Sequence, residues 1–184
     1  MPAPPAPPAS ATPPAAPEAP AASAAPAAPA AKKPPHRSAR RRAREFALQG
    51  LYQWLLSTEP VPSVIEHLAQ FDDFAKADRV LFDTLMHGTV EQAAALHVVI
   101  ARHGDRKTSL LSPVEHAALM IGCYELKNCP EVPYRVIINE AVELTKSFGG
   151  TDGHKYVNGV LDRCAAELRP GEARPAAVRR VADT

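Results

Sequence analysis

Cysteine is scarce in this 184-residue chain: only Cys123, Cys129 and Cys164 occur, an odd set without C-x-x-C spacing. That excludes a disulfide framework and gives no zinc-ligand pattern. No apolar run approaches the roughly eighteen residues that cross a bilayer, and the N-terminus lacks the apolar core of a secretory signal. The chain is therefore expected to act in the cytoplasm, with no membrane partner. Nucleotide-binding glycine patterns of the G-x-G-x-x-G and P-loop types are missing, as is H-E-x-x-H. The seven histidines, His36, His67, His87, His97, His103, His116 and His154, are scattered, with no Cys or Asp companion at nucleophile spacing. Neither catalysis nor a metal nor a cofactor is expected. No stretch alternates polar and apolar residues in the manner of a half-buried strand, which leaves an all-α fold.

Proline and alanine, by contrast, are abundant at one end. Residues 1–35 hold 13 of the 20 prolines and no Leu, Ile, Val or aromatic residue. Such a segment buries too little apolar surface to offset its ordering entropy, and every proline removes a backbone donor. Residues 1–37 are thus expected to form a disordered, basic-ended tail. Residues 38–170 carry nearly all the large apolar side chains and suit one domain, and 171–184 read as a second disordered tail. A net charge of +1 hides a local asymmetry: Lys32, Lys33, Arg37, Arg40, Arg41, Arg42 and Arg44 fall within thirteen positions that contain no acid.

Helical spacing of apolar residues predicts a first helix from an N-cap at Ser38 to about Ser57, with Leu48, Leu51, Tyr52 and Leu55 on its apolar stripe. Val64, Ile65 and Leu68 predict a short second helix. A long third one runs from about Lys76 to His103, with Gly88-Thr89 as the place where it bends or splits. Ser112-Pro113-Val114-Glu115 is a capping box with proline at the first helical position. The following run Ala117 to Tyr124 is apolar or small on every side, the mark of a helix surrounded by others. Further helices are predicted from Pro133 to Gly149 and from Gly153 to Leu168.

Several of these positions suit RNA. A helix N-terminus favours acids, so its arginines are locally unfavourable, yet Arg37, Arg40, Arg41 and Arg44 share one flank and form a ridge suited to phosphates. A solvated charge run is the alternative. Tyr52 can stack on an unpaired base, or sit at the core margin with its hydroxyl in water. The glycine-rich stretch Gly149 to Gly153 opens a helix whose free N–H groups suit a phosphate, unless Asp152 takes those donors as N-cap. Lys155 and Tyr156 pair a charge with a stacking face.

Three blocks carry a family resemblance: Arg40-Arg41-Arg42-Ala43-Arg44-Glu45; Val132-Pro133-Tyr134 with Ile138-Asn139-Glu140-Ala141-Val142-Glu143-Leu144; and Lys146-Ser147-Phe148-Gly149 with His154-Lys155-Tyr156-Val157-Asn158-Gly159-Val160-Leu161-Asp162. In order and spacing they resemble the NusB family from about Ser38 to Pro170, with Tyr156 standing where phenylalanine is more usual. The resemblance implies a compact domain of six to seven helices in two packed bundles, acting by binding rather than catalysis. It further implies partnership with the ribosomal protein NusE, binding of boxA-type single-stranded RNA in nascent ribosomal transcripts, and assembly into an antiterminating transcription elongation complex. By family position Tyr52, Asp152 and Tyr156, and by their charge beside those blocks Arg40, Arg41, Arg44 and Lys155, become the expected RNA contacts; Glu115, whose ordinary role is the cap, lies by the resemblance near the partner surface and is the expected partner contact. Two other readings are an accessory domain like that of ribosomal RNA cytosine methyltransferases, against which the absence of a following α/β domain weighs, and a helical protein-interaction scaffold.

Overall fold

The computed structural model describes residues 38–57 and 59–172; the expected tail 1–37 and residues 173–184 lie outside the described residues. Among the described residues there are seven α-helices, two short 3-10 turns and no strand. The helices are α1 (Ala39–Leu56), α2 (Val61–Leu68), α3 (Arg79–Glu91), α4 (Ala93–His103), α5 (Pro113–Asn128), α6 (Tyr134–Phe148) and α7 (Gly153–Leu168). Helices α2 and α3 each pack on α1, α6 and α7 pack together, and α5 lies against members of both groups.

Local chemistry sets most boundaries. Ser38 caps α1 by accepting from the Arg41 N–H at 3.1 Å, and Asp78 caps α3 by accepting from the Leu81 N–H at 3.0 Å. That cap makes α3 start at Arg79, three residues later than the periodicity predicts. In the capping box of α5, Ser112 Oγ accepts from the Glu115 N–H at 3.2 Å while Glu115 accepts from the Ser112 N–H at 3.0 Å. Two orphan donors of the helix start are satisfied reciprocally. Every residue from Ala117 to Leu126 is buried, so α5 is the spine of the core.

The long third helix does split, but not at Gly88. The chain turns at Gln92, whose side chain accepts from Lys127 Nζ at 3.0 Å near the end of α5. Gly88 lies within α3, and its missing side chain leaves room for Tyr124: a Cβ there would lie 2.1 Å from the Tyr124 hydroxyl. Folded contacts also run past the expected end at Pro170. Glu172 accepts from the Tyr134 N–H at 3.2 Å and pairs with Arg169 at 3.3 Å, so residues 171 and 172 belong to the domain's edge rather than to the tail.

Packing of α4 on α5 brings His97 and His116 together, Nε2 to Nε2 at 2.9 Å. Burial lowers the pKa of His97, and burial together with the charge of His97 lowers that of His116. A histidine whose folded pKa is depressed binds fewer protons than its unfolded counterpart, so the stability it contributes is full above about pH 6.5 and declines as pH falls toward the folded value. Melting curves at pH 7.5 and pH 5 should therefore show a larger fall in Tm for the native chain than for His97→Asn/His116→Asn. Equal falls would remove this pair as the cause.

Candidate nucleic-acid interface

Arg40 and Arg41 leave the first turn of α1, Arg40 exposed and Arg41 about a third so. Arg41 lies 3.4 Å from Glu45 and 3.9 Å from Glu143, which ties the start of α1 to α6. Glu143 is held below the ordinary carboxylate range, chiefly by its hydrogen bond from Lys146 and also by the charges of Arg41 and His154. The beginning of α1, the end of α6 and the beginning of α7 thus form one electrostatic neighbourhood.

Arg44 does not belong to that ridge. Its side chain turns inward and is 4 % exposed, with Nε and a terminal nitrogen donating to the two oxygens of Glu125 at 3.0 and 2.7 Å. Burial by itself would lower its pKa, but the hydrogen bonds and charge of Glu125 outweigh that and raise it. The three- and four-residue spacing that groups Arg37, Arg40, Arg41 and Arg44 cannot separate solvent from core, and Arg44 falls on the side that α5 covers. Arg44 is a structural ion pair, and Arg37 lies outside the described residues.

Tyr52 points out from the C-terminal half of α1, 42 % exposed. Together with Leu48, Gln49, Val114 and Phe148 it lines a mostly apolar groove of about 320 Å³ where α1 meets the start of α5 and the end of α6. Phe148 is 41 % exposed and also lines the recess next to Arg42, Glu45 and Gln49. Sequence reasoning passes over Phe148 as a site residue although it stands in the third motif block. Its signal is an aromatic in the last turn of an amphipathic helix, directly before a glycine loop. Arg42 and two exposed aromatic rings, Tyr52 and Phe148, thus border adjoining recesses directly before that loop, which combines phosphate attraction with stacking surface.

At the start of α7 the expected N-cap does not form. The Asp152 side chain accepts from no backbone N–H of the helix; its carboxylate instead pairs with Lys155 Nζ at 2.8 Å, both groups exposed. The hydrogen bond and charge of Lys155 lower the pKa of Asp152, and those of Asp152 raise that of Lys155. The donors of the first turn are therefore left free of that carboxylate, and Asp152 can accept from a base amino group. Gly153 is buried against Glu115: a Cβ would lie 2.6 Å from Glu115 Oε1. Glu115 thereby serves the cap of α5 and the seat of α7 at once.

Tyr156 follows one turn later, and one face of its ring is taken. The guanidinium of Arg106, exposed in the loop after α4, lies 4.5 Å from the ring centroid, a cation–π geometry. Desolvation raises the Tyr156 pKa. The sequence offers no signal for Arg106, a lone arginine in a loop fifty positions before its tyrosine. No group of three or more metal-ligating side chains gathers among the described residues, and none of the described helices is long and apolar enough to cross a membrane.

A family model described as the NusB family matches residues 41–166. The transcription antitermination protein NusB of Ralstonia pickettii (strain 12J) is 55% identical over 141 residues, covering 76% of this chain and 90% of the relative. That of Bordetella pertussis (strain Tohama I) is 54% identical over 144 residues, covering 76% of this chain and 94% of the relative. Among solved structures, T. maritima NusB superposes with a TM-score of 0.64 at 28% identity, covering 73% of this chain and 95% of that one. A crystal structure of antitermination factors NusB and NusE in complex with double-stranded RNA gives a TM-score of 0.64 at 24% identity, over 70% of this chain and 97% of that one, a likeness of fold.

Proposed function

The chain belongs to the NusB family, and on that premise we propose that it is a cytoplasmic transcription antitermination factor. It binds boxA-type single-stranded RNA in nascent ribosomal transcripts together with the ribosomal protein NusE, and so joins the elongation complex. The observation that supports this is the groove in which exposed Tyr52 and Phe148 lie together between α1 and the end of α6, with Arg42 beside Phe148 in the adjoining recess and part-exposed Arg41 tied to α6 through Glu143. Phosphates are met by the arginines, whereas bases are met by the rings, by Asp152 and by Lys155 and Tyr156 under Arg106. Glu115, fixed between α5 and α7, is the proposed point of contact with the protein partner. The activity is binding, and no bond is made or broken.

Fluorescence anisotropy of a labelled boxA-type RNA and a shuffled control, at two salt concentrations and with or without NusE, tests this. Expected is a preference for boxA that tightens with NusE. Arg40→Ala/Arg41→Ala should weaken binding and flatten the salt dependence by about 0.7 in log–log slope for each phosphate no longer neutralised. Tyr52→Ala should lower affinity at an unchanged slope, because stacking on a base releases no counterions. Equal, feeble binding to both RNAs would leave a helical protein-interaction scaffold.

A further inference from the structure

We propose that His97 and His116 form a two-imidazole site for a borderline divalent cation of the zinc type, clipping α4 to α5. From the sequence the histidines look scattered, and no metal is expected; the fold brings these two together from adjacent helices. Their rings meet nitrogen first, with Nε2 atoms 2.9 Å apart, centroids 4.8 Å apart and planes inclined by 42°. Two neutral imidazoles in that arrangement share a single proton, one donating and the other accepting, so one N–H and one lone pair point into the same small space.

A tetrahedral zinc ion with bonds of about 2.0–2.1 Å holds two ligand nitrogens roughly 3.3 Å apart. Opening the pair by a few tenths of an ångström, within reach of side-chain rotation, lets the donor ring shift its proton from Nε2 to Nδ1, so that both rings stay neutral and both Nε2 lone pairs face the cation. Each ring is part-buried, so the helices fix the pair while its open side leaves the remaining coordination positions to water. Imidazole nitrogen suits zinc, nickel and copper and suits calcium and magnesium poorly. Burial also keeps both rings in the neutral form that ligates at neutral pH.

Two of the other described histidines are engaged elsewhere: His103 with Glu167, and His67 edge-on against Phe71. Two protein ligands give an exchangeable site, with a Kd of about 10 µM rather than the far tighter values of closed four-ligand sites.

The test uses the full chain freed of metal by chelator, titrated with zinc chloride. One ion per chain should bind by calorimetry, and zinc at about a hundred times Kd should raise Tm by about 5–10 °C, whereas calcium and magnesium should not. His97→Asn and His116→Asn should each weaken zinc binding at least about tenfold, the loss of one of two ligands, while His67→Asn should not. In the unmodified chain, zinc should saturably shift two imidazole Cε1–H resonances and leave the others in place, which requires no variant to fold. Absence of any zinc-dependent shift in Tm at about 1 mM, a hundred times the expected Kd, would overturn the site. So would binding retained in the double variant, or resonance shifts confined to other histidines.

Discussion

Arg44→Ala should lower the stability of the domain by about 3–5 kcal/mol, because it strands the buried carboxylate of Glu125 without its partner. Glu125 is 1 % exposed and Arg44 4 %, so water cannot replace the two missing hydrogen bonds without the core opening. For a domain of this size the change amounts to a fall in Tm of about 10 °C or more. The pair joins α1 to α5 across 81 positions of sequence, so the break loosens the packing between the two helix groups. Replacing both partners with apolar residues of similar size, as in Arg44→Met/Glu125→Leu, should recover most of the loss, since neither charge is then left buried alone. Chemical denaturation of the two variants decides this, and a single variant as stable as the native chain would show the pair to be dispensable. Reduced RNA binding by Arg44→Ala is then expected to follow the smaller fraction of folded protein rather than a missing phosphate interaction.

Arg169→Ala should cost about 3–4 kcal/mol, an effect on the scale of several buried carbonyls losing their donors. The guanidinium of Arg169 is 7 % exposed. It donates to the carbonyls of Leu126 at 2.7 Å, Val132 at 2.6 Å, Glu125 at 2.9 Å and Cys129 at 2.7 Å. These acceptors surround the end of α5, where helix carbonyls lack internal partners and the dipole favours a cation. One side chain at the end of α7 thereby closes the end of the central helix. Lysine keeps the charge but has no planar fork, so Arg169→Lys should restore only part of the stability. Thermal melts of both variants test this, and an Arg169→Lys protein equal to the native one would show that charge alone suffices.

The starts of α1 and α5 were legible because their causes are local. Ser38 caps a helix three residues ahead of its hydrogen-bond donor, and Ser112 and Glu115 cap one another across the same interval. Gly88 was legible only as a helix breaker. In the fold it is the empty space that Tyr124 fills, a role that depends on where α5 passes. For the candidate site, the arginine run, Tyr52 and the start of α7 were readable from residue type and motif. Arg44 was misread because periodicity gives the flank of a helix without saying which flank the next helix covers.

By itself the sequence determined the helical class, the caps at Ser38 and Ser112, the central buried helix and membership of the NusB family, since each is encoded over a few residues or over motifs in fixed order. Only the tertiary structure decided that Arg44 meets Glu125, that Arg106 covers Tyr156, that Arg169 closes α5 and that His97 faces His116. Those pairings join separate elements and depend on how the helices pack. That packing is a property of the whole core rather than of any single segment.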